Sequence, residues 1–255
     1  MDFMTILGLL AGVASIYYVM MKGEILHILW NLEALILVFG GTLASILISY
    51  PWPTVKRVPG ALRIIFFPQK NLHPQEVIKI LVQFSEKAKR AGIETLQNDI
   101  HQLKDKFLVN SIQMLIDGTE LDLLRDNLER EVIHIRERHQ KIGSVFRAMA
   151  TLAPVFGLLG TLIGVIQVLR NITEPAKMGP AMAIAIVSTF YGIFGANFLF
   201  LPAAIKLNEY SEEEILTEEL IIEGTISIHQ GELPLVLSKK LETFLSVKLR
   251  ESTKK

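Results

Sequence analysis

The sequence has 255 residues, of which 50% are hydrophobic and 20% charged, and its 26 basic and 26 acidic residues cancel to a formal net charge of zero. Without an excess of positive charge, the chain lacks the global basic character of nucleic-acid-binding proteins, and we expect no nucleic-acid partner. It contains no cysteine, which excludes disulfides, cysteine-ligated zinc and thiol catalysis.

The apolar residues are concentrated in four runs without a charged side chain. A helix needs about 17–25 apolar residues to cross the hydrocarbon layer of a membrane, and four runs meet that length: residues 3–21, 34–52, 148–169 and 178–205. The first run lacks a preceding basic region and a small-residue cleavage pattern, which is typical of a retained span rather than a signal peptide. The sequence therefore predicts an all-α membrane protein with four transmembrane helices in two hairpins.

The chain is expected to divide into a transmembrane hairpin, a helical cytoplasmic domain, a second transmembrane hairpin and cytoplasmic tail helices, over residues 1–52, 53–147, 148–205 and 206–255. Basic residues mark the cytoplasmic flanks of membrane spans. Lys22, Arg170 and Lys177 lie in the short connections, and the other 23 of the 26 basic residues lie in the long segment and the tail. We therefore expect the long segment and both termini to be cytoplasmic.

Apolar residues recur at helical spacing between spans two and three. One stripe runs from Pro74 to Gly92, and a second ends at Gly118. A third begins at Leu121 and continues towards span three, so we expect a compact bundle whose last helix enters the membrane and whose charges are solvated. The tail contains an amphipathic piece over residues 233–245 and, before it, an acidic helix with Glu209, Glu212, Glu213, Glu214, Glu218 and Glu219.

Small residues form one stripe on each of spans three and four. Gly157, Gly160 and Gly164 are three and four residues apart in span three, and small side chains on one face let membrane helices approach closely. Helix packing alone explains each glycine, taken singly, equally well. The matching stripe of span four comprises Ala181, Ala185, Ser188, Gly192 and Ala196.

Three hydroxyl groups and a proline lie among these small residues. Thr161, Ser188 and Thr189 supply oxygen atoms at membrane depth, the ligand type that hard cations accept. A single hydroxyl often bonds only to its own helix, but three of them on adjacent spans favour an ion path. Pro154, seven residues before Thr161, shares its face and frees a backbone carbonyl.

The interiors of the four runs contain no Asp, Glu, Lys, Arg or His, and Glu33 lies only at the mouth of span two. Proton relays and coupled ion carriers normally need a buried ionisable group. If this chain moves ions, the carboxylate that carries them must come from another polypeptide, which predicts an obligate hetero-oligomer.

Two long strings, LAPVFGLLGTLIGVIQVL and MGPAMAIAIVSTFYGIFGANFLFLPAA, resemble the MotA/PomA family of flagellar stator subunits. The start (TILGLLAGV), span two (LEALILVFGGTLAS) and the tail (IIEGTISIHQGELPLVLSKKLETFL) are similar to that family as well, so the resemblance covers nearly the whole chain. The string GLLGT alone also occurs in the related ExbB/TolQ energiser subunits, which have fewer spans in a different order.

The resemblance implies a multi-pass protein of the bacterial inner membrane, with no resident cofactor, in a ring of five copies around two copies of a MotB/PomB-type subunit. That partner supplies a span with an essential aspartate and a peptidoglycan anchor. Ion passage past the aspartate would turn the ring against the flagellar rotor switch protein FliG.

Thr161, Ser188 and Thr189 match the family's hydroxyl positions. Pro154 and Pro202 match its two functional prolines, and together with Gly160 and Gly164 they are the expected sites of conformational coupling.

The coupling ion is expected to be Na⁺, with H⁺ as the alternative. Gly160–Thr161 and Ser188–Thr189 resemble the sodium-driven members, and Na⁺ needs oxygen ligands once it sheds water. Asn31 stands where some sodium-driven members have an acid.

The cytoplasmic segment departs from the family pattern. Members usually present an arginine and, about two helical turns later, a glutamate to the rotor. Aligned on the glycine that ends the first stripe, these positions are Lys89, with Arg90 beside it, and Gln97. The candidate rotor contacts are therefore Lys89, Arg90 and a substitute acid, either Glu94 or Asp99.

Two alternatives remain open from the sequence. In place of a flagellar stator subunit, the chain could be an ExbB/TolQ-like energiser that drives gliding or outer-membrane transport. The second alternative is a structural membrane scaffold. An enzyme is disfavoured, because the six histidines show no metal-ligand spacing and no phosphate-binding glycine loop follows a strand.

Overall fold

The computed structural model describes residues 3–24, 26–68 and 72–245, and every regular element in those ranges is helical. Residues 246–255, at the end of the expected tail, lie outside the described residues. In chain order the α-helices are α1 (Phe3–Lys22), α2 (Leu26–Leu29), α3 (Leu32–Leu35), α4 (Gly41–Ser49), α5 (Trp52–Val55), α6 (Val58–Phe66), α7 (Pro74–Ala91), α8 (Gln97–Ile100), α9 (Lys106–Ile116), α10 (Leu121–Arg170), α11 (Pro175–Phe194), α12 (Leu201–His229) and α13 (Pro234–Leu241).

Shorter helical turns complete the described ranges. Ile36–Gly40 and Gly195–Phe200 are π-helical, and Ile93–Leu96 and Glu242–Phe244 are 3₁₀-helical. Each π-helical segment continues directly into an α-helix on both sides, so the helix axis is not interrupted there.

Within the described ranges, four helical stretches are long and apolar enough to cross a membrane. They are Phe3–Lys22, Leu32–Ser49, and one window within each of Leu121–Arg170 and Pro175–His229. The expected all-α fold with four membrane helices is confirmed. α10 is one 50-residue helix, as expected for a cytoplasmic helix that continues into span three.

Span two begins and ends earlier than the apolar run of residues 34–52. Its start is set by Asn31, whose side-chain oxygen accepts a hydrogen bond of 2.9 Å from the Ala34 N–H, an N-cap that satisfies a free donor of the first turn. Its end is set by Tyr50, which is extended (φ −122°, ψ 139°) because the residue before a proline, here Pro51, is disfavoured in the helical region.

The chain forms two compact units. The membrane unit comprises Met1–Gln69 and His139–Glu209, and the second unit comprises Lys70–Arg138 and Tyr210–Lys255. These limits differ from the expected segments, since α6 packs in the membrane unit instead of with the rest of the cytoplasmic segment. Its apolar side joins one buried cluster, whose members are Ile46, Val58, Ala61, Ile65, Val145, Phe146, Met149, Ala203 and Ala204.

The second unit has its own core, formed by the stripes that the sequence indicates. Leu81, Leu108 and Leu128 are each fully buried. Two helices end at glycines as expected, because Gly92 (φ 88°) and Gly118 (φ 72°) adopt left-handed conformations that side chains rarely tolerate.

Candidate functional site

The small-residue stripes of spans three and four face each other in the membrane unit. A Cβ atom added at Gly164 would lie 2.6 Å from the Ala185 Cβ and 2.7 Å from the Ala181 carbonyl oxygen. One added at Gly192 would lie 2.7 Å from the Ala153 carbonyl oxygen and 3.1 Å from the Pro154 Cα. The backbones of α10 and α11 therefore touch along this seam, and only small residues fit there.

Thr161 and Thr189 meet across the seam. Their hydroxyl oxygens lie 2.5 Å apart, and the Ala185 carbonyl oxygen lies 3.1 Å from the first and 3.4 Å from the second. The two hydroxyl groups and this carbonyl form a cluster of three oxygen atoms, and both threonines are half-buried within the subunit.

The hydroxyl protons of this pair have backbone acceptors on their own helices, and the acceptor of Thr189 is the Ala185 carbonyl of the cluster itself. Thr161 can donate to the Gly157 carbonyl at 3.2 Å, and Thr189 can donate to the Ala185 carbonyl, each one helical turn earlier. Both oxygens then keep lone pairs for a cation or for water. When neither a cation nor water is bound, one of the two hydroxyl groups donates a hydrogen bond to the other.

Ser188 is placed apart from the threonine pair. Its side chain is fully buried, and its hydroxyl oxygen has no hydrogen-bond partner in the described part of the chain. A Cβ atom added at Gly160 would collide with the Ser188 side chain and lie 3.0 Å from the Leu37 Cδ2. Ser188 therefore faces Gly160 near span two, because adjacent helical residues point about 100° apart; its role in the ion path stays a prediction.

Pro154 lies within α10, at the seam, where its Cα faces Gly192. Proline has no N–H, so the carbonyl of Ala150 receives no α-helical hydrogen bond from residue 154. This carbonyl lies about one turn of α10 before the Gly192 contact and about three turns before Thr161.

Pro202 follows the second π-helical segment. The Leu201 N–H donates to the Ala196 carbonyl five residues earlier, the π-helical pattern. The wider turn also meets span two, because a Cβ atom added at Gly195 would lie 3.1 Å from the Phe39 Cε1 of the first π-helical segment. The sequence carries no periodicity signal for either segment, and sequence reasoning missed both.

The second unit contains the candidate rotor contacts. Lys89 and Arg90 are exposed in the last turn of α7, and Glu94 is exposed in the following 3₁₀ turn. Because α7 ends at Ala91, the basic and acidic candidates lie on different helical segments rather than along one helix face.

The acids near these basic residues have different surroundings. The Asp99 carboxylate forms an ion pair of 2.6 Å with Lys87. Gln97, where the family resemblance leads us to expect a glutamate, donates to the Gln113 side chain at 3.3 Å. Of the two substitute acids, Asp99 is therefore paired with Lys87, whereas Glu94 is exposed and forms no ion pair within the described residues.

One acidic residue of the tail differs from its expected setting. Glu218 is only 6% exposed, although the sequence shows it simply as one member of an acidic helix. Which glutamate turns inward depends on how α12 packs, and the spacing of its seven glutamates does not reveal it. In the described residues, no group of three or more His, Asp or Glu side chains is arranged to hold a metal ion.

Comparison with known proteins agrees with these features. The sequence profile of the MotA/TolQ/ExbB proton channel family matches residues 99–219. Motility protein A of Borreliella burgdorferi is 35% identical over 225 residues, which cover 88% of this chain and 86% of that protein.

Two solved structures share the fold over almost the whole chain. The structure of C. jejuni MotAB superposes with a TM-score of 0.89 at 27% identity, over 97% of both chains. The flagellar MotAB stator complex from Bacillus subtilis has a TM-score of 0.86 at 31% identity, over 95% of this chain and 97% of that chain. The chain therefore belongs to the MotA/TolQ/ExbB proton channel family, a family of channel and stator subunits rather than enzymes, and within it to the MotA-type flagellar stator subunits.

Proposed function

We propose that this subunit forms one wall of a sodium path and converts sodium flow into torque on the flagellar rotor. The observation that carries the proposal is the oxygen cluster of Thr161, Thr189 and the Ala185 carbonyl. A dehydrated Na⁺ needs several oxygen ligands, and this cluster supplies three uncharged oxygen atoms.

The path requires a second chain. A MotB/PomB-type subunit is the partner that supplies a span aspartate beside the threonine pair and an anchor in the peptidoglycan. The relatives of known structure carry the name MotAB, which supports such a partner. Ser188, buried against Gly160, completes the hydroxyl set that the family resemblance implies.

Ion passage is coupled to rotation through the packed seam. One charge that crosses the membrane releases about 2.3 kcal/mol per 100 mV, enough to rearrange helix packing. Pro154, Pro202, Gly160 and Gly164 are the proposed sites of that rearrangement. A ring of five copies would then present Lys89, Arg90 and Glu94 to FliG.

Both termini are proposed to be cytoplasmic. The basic flanks of the spans support this orientation, and two contacts are consistent with it: one joins the start of span one to the end of span four, and the other joins the end of span two to the start of span three. The Lys206 ammonium donates to the Thr5 hydroxyl, and the Tyr50 hydroxyl donates to the Ser144 carbonyl at 3.1 Å.

The test is rotation speed against external sodium in cells that carry this chain and its own partner as their only stator. The membrane potential is held fixed and sodium is replaced by potassium. We expect speed to rise with sodium and then saturate. Unchanged speed without sodium would exclude sodium coupling and leave proton coupling as the mechanism.

A further inference from the structure

Glu218 is a buried carboxyl group in the interior of the second unit. Its side chain is 6% exposed, and its Oε2 atom has no hydrogen-bond partner within the described residues. The adjacent residues Leu220 and Ile221 are fully buried. By contrast, Glu219 points outward and pairs with Arg136 at 3.1 Å.

Charged groups from three elements face Glu218. Glu214 comes from α12 itself, Asp105 directly precedes α9, and Glu131 and Arg138 come from α10. Three carboxylates therefore oppose a fourth negative charge, and one guanidinium favours it.

Two of these neighbours are held in place by other contacts. Asp105 caps α9 by accepting the Leu108 N–H at 2.9 Å, and Glu131 accepts a hydrogen bond from Asn110 at 3.1 Å. These hydrogen bonds hold Asp105 and Glu131 beside Glu218 in both of its charge states.

Burial is the main cause that raises the pKa of Glu218 to about 8, with Glu214, Asp105 and Glu131 adding to it and Arg138 opposing it. Near neutral pH the buried carboxyl is therefore mostly protonated. Above that range it becomes a carboxylate without a donor for its Oε2 oxygen, a state that is costly inside a protein.

We propose that Glu218 is a pH-sensitive latch: its neutral form lets α9, α10 and α12 pack together, and its ionised form favours local opening of the second unit. The opening admits water to the carboxylate. The effect of this opening on the motor rests on the proposed function, because the second unit also carries the candidate rotor contacts Lys89 and Arg90. An alkaline cytoplasm would then loosen the unit that presents the rotor contacts.

Hydrogen exchange measured by mass spectrometry on the purified full-length chain with its partner tests the latch. The readout is the exchange rate of peptides from α9 and α12 in the wild type, divided by the rate in Glu218→Gln at the same pH. This ratio removes the intrinsic pH dependence of exchange. We expect it to rise about tenfold per pH unit below pH 8 and to level off above it, because the open form ionises first.

Glu219→Gln is the matched control, since it removes an exposed carboxylate one residue away. It should keep the pH dependence of the wild type. A wild-type ratio that does not change with pH, or a Glu219→Gln protein that loses the dependence, would overturn the proposal.

A second variant keeps the test decisive if Glu218→Gln does not fold. Glu131→Gln retains an acceptor for Asn110 but removes one opposing charge, so the exchange of this variant, corrected for intrinsic rates, should level off at a lower pH than in the wild type. If the exchange of Glu131→Gln levels off at the same pH as in the wild type, or at a higher pH, the latch is contradicted. Sodium independence of the motor would leave these exchange results unaffected, so the two proposals fail separately.

Discussion

The hydroxyl oxygens of Thr161 and Thr189 lie 2.5 Å apart on different membrane helices, and the Ala185 carbonyl lies within hydrogen-bonding distance of both. Two membrane helices thus bring three uncharged oxygen atoms to one point. Thr161 comes from α10 and both Thr189 and Ala185 come from α11, so neither of these two helices supplies the cluster by itself.

Replacing either threonine by valine keeps the shape of the side chain and removes its oxygen. Loss of a polar partner costs roughly 1–3 kcal/mol, so Thr161→Val or Thr189→Val should raise the sodium concentration for half-maximal speed by about tenfold or more. Thr161→Ser should retain most of the wild-type response. Thr151→Val is the control, since Thr151 is exposed and its hydroxyl donates only to the Arg147 carbonyl one turn earlier. A normal sodium response in both threonine variants would refute the assigned site.

Gly164→Ala should destabilise the packed seam. The added methyl group would lie 2.6 Å from the Ala185 Cβ and 2.7 Å from the Ala181 carbonyl, an overpacking that costs about 1–3 kcal/mol. We expect a lower thermal unfolding midpoint of the detergent-purified protein. Gly143→Ala in the same helix is the control, because its methyl group would meet only the Arg147 side chain at 3.7 Å. Equal midpoints for the two variants would contradict this account.

Arg90→Glu should abolish or strongly reduce torque, because Arg90 is exposed beside Lys89 on the proposed rotor surface. The measurement is the rotation speed of tethered cells at matched membrane levels of the protein. Lys79→Glu reverses a charge at another exposed position of α7 and should have little effect. Torque that survives the change at Arg90 would place the rotor contact elsewhere.

The stability of the protein should fall as pH rises between about pH 5 and pH 8. The pKa of Glu218 is about 8 in the folded protein and 4.5 as an ordinary glutamate, so the folded state binds the extra proton in this window. The fall is at most about 1.4 kcal/mol per pH unit. Thermal unfolding midpoints at several pH values check it, and Glu218→Gln should flatten the slope. A parallel slope in that variant would assign the pH dependence to other groups.

Lys240→Gln should weaken the second unit. The Lys240 ammonium lies 2.5 Å from Glu223, 3.1 Å from Ser227 and 3.5 Å from Glu232. Burial lowers the pKa of Lys240, but the hydrogen bond and charge of Glu223, together with Glu232, raise it overall. The stabilisation is therefore present below the ordinary lysine pKa and is lost as pH rises through the raised value.

We expect Lys240→Gln to lose about 1 kcal/mol of unfolding free energy at neutral pH, because partial exposure weakens the ion pairs. The adjacent Lys239 is exposed, so Lys239→Gln is the matched control for thermal unfolding. If both variants unfold at the wild-type temperature, the cluster around Lys240 contributes nothing measurable.

The sequence by itself determined the helices and their membrane character. Charge-free runs of sufficient length can only be satisfied as helices in lipid, because every backbone polar group must find its partner within the segment. It also determined the small-residue faces of spans three and four and the helix ends at Gly92 and Gly118, since spacing and glycine act locally. The family resemblance followed from strings in the same spans.

Only the tertiary structure decided which of these residues meet. Thr189 faces Thr161 while its neighbour Ser188 faces Gly160, Lys87 engages Asp99, and Glu218 turns inward while Glu219 turns outward. Periodicity places a residue on a face of its own helix but does not say which neighbour covers that face or at what height. Those depend on how the helices cross and on the π-helical turns, where one extra residue rotates every side chain that follows.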